Sequence, residues 1–267
     1  MKERFSKPVA KSTGGPSAGQ EQFTPEILYE DNHLLCVNKP AGMLTQADIS
    51  GRMSLHEHLK NYIKVRDNKP GNVYLGMVQR LDKPVSGVLV FAKTSKAAGR
   101  ISQQIRERQL SKYYLTVTAA GPDSGLSRDG GVEDWCQITH QLQRVKNVSV
   151  VDHDAKTGKT ASLKFKTLMN NGMLGFHAVR LITGRKHQIR AQFAALEMPI
   201  CGDRTYGSSI QTQSGRILLH SYRVRLAHPT KRTSLEVICP PPVELCSLFS
   251  AQERKVIFSA LKELWVS

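Results

Sequence analysis

The stretch Gln79-Arg80-Leu81-Asp82-Lys83-Pro84-Val85-Ser86-Gly87 sets one carboxylate between two cations, in a segment punctuated by proline and glycine. An aspartate has an ordinary pKa of about 3.9, and neighbouring positive charge holds it more firmly ionised. Such a group suits a nucleophile or charge stabiliser better than a general acid. On these residues alone, a turn or a surface ion pair is the better account of Asp82. A second stretch, Thr183-Gly184-Arg185-Lys186-His187-Gln188-Ile189-Arg190, gathers three cations and an imidazole where a helix is expected to start. Phosphates settle at such places because unpaired backbone N–H groups and guanidinium forks meet there, although a solvated basic face fits the same residues. Gly202-Asp203-Arg204-Thr205-Tyr206-Gly207 reads as a polar turn.

Other constellations offer less. His56 and His58 stand two apart on an expected helix and point in different directions, as surface histidines and not as a metal pair. Ser86, His187 and Asp82 lack the Gly-x-Ser-x-Gly elbow of a hydrolase triad. No Gly-x-Gly-x-x-Gly or Walker loop occurs, so neither a nucleotide cofactor nor a metal is expected. The five cysteines are scattered and odd in number, with no Cys-x-x-Cys; this excludes a disulfide framework, suits a reducing compartment, and leaves Cys201 as a packed residue.

The elements that must position these residues follow from periodicity. Residues 1–25 are rich in Lys, Ser, Gly, Pro and Gln and form an expected disordered lead, and 26–267 form one catalytic domain. A hairpin runs from Ile27 to Pro40 around Asp31-Asn32. A helix over 54–65 starts from the capping box of Ser54 and Glu57 and buries Leu55, Leu59 and Ile63. Strands are expected at 73–78, 85–92 and 112–119, with a helix over 94–109 between the last two. A variable loop and a hairpin around 135–150 come next. Strands 164–169 and 175–181 pair across Asn170-Asn171-Gly172, a helix covers 185–196, strands occupy 218–226 and 234–238, and a helix closes the chain at 252–264. Strands dominate, and the helices are too few for repeated βαβ units, so the fold class is α+β with a mostly antiparallel mixed sheet.

The 267 residues carry a formal charge of +16. Clustered Lys and Arg displace the counterions of a phosphate backbone, which points to a nucleic-acid partner. No apolar run has the length of a membrane span, no basic amphipathic helix is evident, and the N-terminus lacks a secretory apolar stretch, so no membrane partner is expected. The expected location is cytoplasmic, or mitochondrial or otherwise organellar.

Taken together, Lys39-Pro40-Ala41-Gly42, Arg80-Leu81-Asp82 with Ser86-Gly87-Val88-Leu89-Val90-Phe91-Ala92-Lys93-Thr94, Lys112-x-Tyr114-Leu115, Thr183-Gly184-Arg185-x-His187-Gln188-Ile189-Arg190, Pro199-Ile200-x-Gly202-Asp203-x-x-Tyr206-Gly207 and Leu219-His220-Ser221 through His228-Pro229 resemble the successive signatures of the RluA-type RNA pseudouridine synthases, over roughly residues 26–240. The resemblance implies the pseudouridine synthase fold, with a catalytic cleft along a central sheet. It also implies cofactor-free isomerisation of specific uridines in rRNA or tRNA: the base is detached, rotated and rejoined through carbon 5. Carried over, Asp82 is the catalytic nucleophile, Tyr114 the tyrosine stacked on the target base and assisting at its carbon 5, and Arg190 the arginine paired with the aspartate. Arg80 fills the space left by the flipped base, and Lys83, Arg185, Lys186 and His187 complete an RNA-binding set. Tyr113 has opposite strand parity and faces away from the cleft.

The sequence departs from the family at Gln79, where His is usual, and at Lys186, where Thr is common. The short polar lead has no room for a separate N-terminal S4 domain, so affinity is expected to come from the domain's own charge. The chain is expected to act as a monomer. An alternative role is an RNA-binding ribosome-assembly factor that keeps the fold without essential catalysis; a nonspecific DNA binder lacks any helix-turn-helix or zinc-finger signature.

Overall fold

The computed structural model describes residues 23–49, 51–119, 135–152, 154 and 157–264. The expected lead, up to residue 22, and the loop 120–134 lie outside them.

Asp31 closes the first hairpin. Its carboxylate accepts the backbone N–H groups of His33 and Leu34 at 2.8 Å each, turning β1 (Glu26–Glu30) into β2 (Leu34–Lys39). α1 (Leu55–Arg66) starts at the capping box of Ser54 and Glu57 and buries the expected Leu55, Leu59 and Ile63. The expected strand over 73–78 shrinks to β3 (Gly76–Met77), because Val73 and Leu75 are buried in the core while their backbone leaves the ladder. β4 (Ser86–Ala92) is buried at every residue. α2 (Ser95–Arg106) is capped by Thr94, whose hydroxyl accepts from Ala97 N–H, and it ends three residues earlier than expected, before Arg108 turns to positive φ.

β5 (Ser111–Ala119) follows, then the hairpin of β6 (Cys136–Val145) and β7 (Val148–Val151), then β8 (Lys159–Asn170) and β9 (Leu174–Leu181). Asn171 shapes the turn between the last two, its side-chain oxygen accepting from Leu174 N–H at 2.8 Å. α3 (Gln188–Ala195), β10 (Leu219–Ala227), β11 (Ser234–Ile238) and α4 (Ala251–Glu263) complete the chain. No helix among the described residues is long and apolar enough to cross a membrane.

All the strands join one sheet in the order β1-β2-β4-β10-β5-β9-β8-β6-β7, with β3 on β4 and β11 on β10. Its ladders are antiparallel except that of β4 with β10, where only His220↔Ser86 and Ser221↔Gly87 are in register. Gly87 has φ +110° there, and a Cβ on it would collide with the Ser221 carbonyl, so only glycine allows the two strands to meet. Alternation along the strands divides the core. Tyr114, Val179, Phe165 and Leu163 pack on one face with Ile189 and Phe193 of α3. Leu115, Ala178 and Phe176 pack on the other with Ile257 and Leu261 of α4. All five cysteines are free thiols, and Cys201 is fully buried as expected.

Candidate active site

A cleft of about 970 Å³ opens on the Tyr114 face. Its walls include all eight residues singled out in the sequence: Arg80, Asp82, Lys83, Tyr114, Arg185, Lys186, His187 and Arg190. They come from three separated stretches of the chain, 80–83, 114 and 185–190. The loop before β4 presents the first three, β5 presents Tyr114, the approach to α3 supplies the next three, and α3 itself supplies Arg190.

The Asp82 loop is clamped from beneath by residues 39–45. Lys39 is fully buried, and its ammonium donates to the carbonyls of Pro40, Met43 and Lys83 at 2.8, 2.8 and 3.1 Å. Gly42 N–H donates to the same Lys83 carbonyl, and Thr45 exchanges hydrogen bonds with both backbone groups of Leu81. Burial pushes the Lys39 amine down to about 7, an effect that the Asp82 charge opposes and Arg216 reinforces. Asp82 is thus held at the lip of the cleft with its side chain 28% exposed.

Arg190 approaches Asp82 at 3.4 Å through one terminal nitrogen only. The bidentate fork expected to grip Asp82 instead grips Asp203, with Nε to Oδ2 at 2.6 Å and Nη2 to Oδ1 at 2.8 Å. This pair is buried, and the 1% exposure of the Asp203 side chain removes it from the surface turn that its sequence suggested. The correction has a simple cause. Asp203 begins a 3₁₀ turn, Arg204–Tyr206, after the buried Ile200-Cys201 pair, and is carried inward with it. Burial disfavours the Arg190 charge, but the Asp203 hydrogen bonds outweigh it and raise its pKa above the usual arginine value.

The helix expected from residue 185 begins at Gln188. Gln188 turns its side chain back, accepting from Arg185 N–H at 3.0 Å and Thr183 Oγ1 at 2.8 Å and donating to the Ser162 carbonyl at 3.0 Å. That clasp keeps Arg185, Lys186 and His187 as a loop on the cleft rim, with His187 in the left-handed region at φ 51°. His187 Nε2 lies 3.5 Å from Asp82 Oδ2, and its Nδ1 lies 3.0 Å from the Tyr206 hydroxyl. That hydroxyl donates to Ser149 O and accepts from Ser149 N–H, so it is satisfied by accepting once more, from Nδ1–H. The neutral ring then presents a lone pair at Nε2. Burial lowers the His187 pKa, with Asp82 pulling the other way. Nε2 and the Asp82 carboxylate are therefore two acceptors side by side on the cleft wall, within reach of one hydroxyl or water on the cleft side. The Tyr206 ring also lies 4.9 Å beneath the Arg190 guanidinium.

Tyr114 is 8% exposed, and burial drives its phenol pKa upward, opposed by a hydrogen bond with Ser221. Arg80 is exposed at the rim, 3.4 Å from Gln46. Ser86 belongs to another set: its hydroxyl lies 2.9 Å from His220 Nδ1 and accepts from Arg216 at 3.0 Å. His56 and His58 meet the Leu75 carbonyl at 2.7 Å and the Phe23 ring at 5.0 Å, which disposes of a metal pair. Sequence reasoning missed Lys39, Thr45, Asp203 and Tyr206. The available signal was a lone charge within or beside an apolar run, as in Leu34–Lys39 and Pro199–Asp203.

A sheet of this order, a lip carboxylate and a tyrosine-floored basic cleft define a class, and comparison with known proteins agrees. The family model for RNA pseudouridylate synthase matches residues 33–195. Ribosomal large subunit pseudouridine synthase D of Xylella fastidiosa is 32% identical over 240 residues, covering 85% of this chain and 69% of the relative. Dual-specificity RNA pseudouridine synthase RluA of Escherichia coli O157:H7 is 32% identical over 230 residues, covering 83% of this chain and 98% of the relative. The solved structure of human RNA Pseudouridylate Synthase Domain Containing 4 superposes with a TM-score of 0.66 at 19% identity, over 89% of this chain and 93% of that one, which shows the shared fold. The chain belongs to the RNA pseudouridine synthase family, enzymes that isomerise uridine in RNA to pseudouridine.

Proposed function

We propose that this chain isomerises specific uridines in ribosomal or transfer RNA with Asp82 as the nucleophile. The observation that carries the reading is the position of Asp82: a half-open carboxylate held by backbone clamps, with Arg190 at 3.4 Å and the Tyr114 ring in the same cleft. A flipped uridine entering between them meets the carboxylate at its ribose and the phenol ring at its base. Asp82 forms a bond to carbon 1′ as the bond from carbon 1′ to N1 breaks, and the uracil leaves with that electron pair. The detached base turns, carbon 5 bonds to carbon 1′, and the carboxylate is released. The proton on carbon 5 is lost and N1 gains one, so the balance is that of an isomerisation.

Arg190 stays charged throughout and keeps Asp82 ionised and oriented. Stacking on Tyr114 contributes about 1–3 kcal/mol toward the cost of extracting the base. Burial keeps the phenol protonated, which favours this platform role over that of a base at carbon 5. Arg80, at the exposed rim, is placed to enter the vacated stack, while Lys83, Arg185 and Lys186 meet phosphates. The two acceptors at Asp82 and His187 suit a ribose hydroxyl.

The test is tritium release from rRNA and tRNA labelled at uridine carbon 5, paired with filter binding. Asp82→Ala should release none while binding RNA within a few-fold of wild type, because removing an anion from a basic cleft does not weaken phosphate attraction. Release at the wild-type rate would remove Asp82 from the chemistry. No release by wild type on any cellular RNA would favour the assembly-factor role.

A further inference from the structure

Behind the cleft, the same strands carry a second cationic surface. Tyr113, on the opposite parity to Tyr114, stands in register with Arg180 of β9, which is opposite Lys164 of β8 and through it Gln137 of β6. On the other side Tyr113 faces Arg223 of β10. Directly paired residues share a face, so these side chains form one row across five strands. The Tyr113 ring lies between two guanidiniums, 5.9 Å from Arg180 and 5.4 Å from Arg223. Lys166 is two residues along β8 on the same face, and Trp135, just ahead of β6, packs against the back cluster that α4 covers.

The strands of this row are rich in cations. β5, β6, β8 and β9 contain no Asp or Glu at all. Glu236 of β11 is committed to Arg223. The cleft chemistry makes no use of the row, and a solvated face has no need of an aromatic ring between two cations. Aromatic rings alternating with Lys and Arg along a groove are the arrangement that holds single-stranded nucleic acid, the rings stacking bases and the cations meeting phosphates.

We propose that this back face binds a second stretch of the substrate RNA, with phosphates at Lys164, Lys166 and Arg180 and bases against Trp135 and against the Tyr113 ring, where a base takes the place of the Arg180 guanidinium as that side chain turns to a phosphate. The inference rests on the reading of the protein as an enzyme acting on RNA. One strand enters the cleft and a flanking segment passes behind the sheet, so affinity grows with RNA length beyond what the cleft accounts for.

The probes are fluorescein-labelled oligouridines of about 8 nucleotides, sufficient for one groove, and of about 30 nucleotides. The triple variant Lys164→Glu, Lys166→Glu, Arg180→Glu is compared with a control making the same charge change at the exposed Lys64, Lys96 and Lys231. The triple variant should weaken the long probe about tenfold or more, and flatten the slope of log affinity against log salt by about 2, while matching the control on the short probe. Equal losses in triple variant and control, or equal losses on both lengths, would overturn the proposal, as would unchanged RNA affinity with loss of an acidic protein partner. Should the triple variant fail to melt cooperatively, Arg180→Glu alone carries the same comparison. Turnover on a saturating short hairpin should match wild type. A wild type that shows the length effect but releases no tritium would unseat the Asp82 chemistry and leave the back face standing.

Discussion

Arg190 gives its fork to Asp203 and only a single nitrogen, at 3.4 Å, to Asp82. The arginine is thereby fixed by one carboxylate in order to serve another. A fork closed on Asp82 would neutralise both of its oxygens, whereas this arrangement leaves the carboxylate oriented with one oxygen unengaged by the arginine, as the proposed nucleophile requires.

Asp203→Asn should accordingly do two kinds of damage. Breaking a buried ion pair from one side costs about 3–5 kcal/mol, so the melting midpoint should fall. Well below that midpoint, turnover should still be reduced at least tenfold, because Arg190 is then free to close on Asp82. Tritium release measured alongside circular dichroism checks this; full turnover in the folded variant would show that Asp203 is a prop for the fold alone.

Lys39→Met retains the length of the side chain and removes all three hydrogen bonds to the carbonyls of Pro40, Met43 and Lys83. The Lys83 carbonyl keeps its bond from Gly42 N–H, while those of Pro40 and Met43 lose this donor, at up to about 1–3 kcal/mol each. The loop bearing Asp82 should loosen, lowering kcat more than it raises KM. Hydrogen exchange of the amides in 81–85 provides the direct reading, and unchanged protection there would mean that the clamp does not depend on Lys39.

Gly87→Ala should be among the most disruptive single substitutions in the chain. It places a Cβ against the Ser221 carbonyl at a φ of +110°, in the one parallel register of the sheet. Soluble yield and thermal melting report the outcome; a variant melting within a few degrees of wild type would show that the seam can widen.

Acid should destabilise the fold before its carboxylates titrate. His177 is buried between Thr118 at 2.9 Å and Thr167 at 3.0 Å, and burial pushes its pKa down to about 3. In the unfolded chain a histidine titrates near 6.5. Between those values the unfolded state holds a proton that the folded state refuses, so stability is full above about 6.5 and falls as pH drops toward 3. Within the window the loss approaches about 1.4 kcal/mol per pH unit for this group. His220, lowered to about 4 by burial, adds to the upper part. Urea unfolding at pH 7 and pH 5 should show the loss, with a shallower dependence in His177→Asn; equal slopes would mean that His177 accepts its proton inside the fold.

Local chemistry was readable where one segment contains both partners. The Ser54–Glu57 box and the Asn171 turn each sit within a few residues, and the helix and the strand pair they shape are present, as is the helix that follows Thr94, although its end and the strand bounds differ from expectation. Asp82, Tyr114 and Arg190 were legible through motifs, and the cleft brings them together. Asp203 and Lys39 stood in the same motifs without a role, because a charge has the same appearance in sequence whether water or a buried partner satisfies it. Only tertiary folding sets Lys39 beneath a carbonyl 44 residues away. The start of α3 was misplaced for a related reason: Gln188 reaches to Ser162, 26 residues back, and that distant bond decides where the loop ends.

The position of β10 in the sheet has a consequence for the life of the chain. Asp82 rides with β1, β2 and β4, while Tyr114 and Arg190 belong with β5, β9 and β8, and among the described residues the ladder joining the two groups runs through β10. β10 comes late, at Leu219–Ala227, after every other residue of the cleft has been synthesised, and its own first residue, Leu219, completes the wall. A nascent chain emerging N-terminus first therefore carries Asp82, Tyr114 and Arg190 as unassembled parts. Catalytic competence arrives with the one strand that stitches the halves, so an unfinished enzyme on the ribosome stays inert toward the RNA around it.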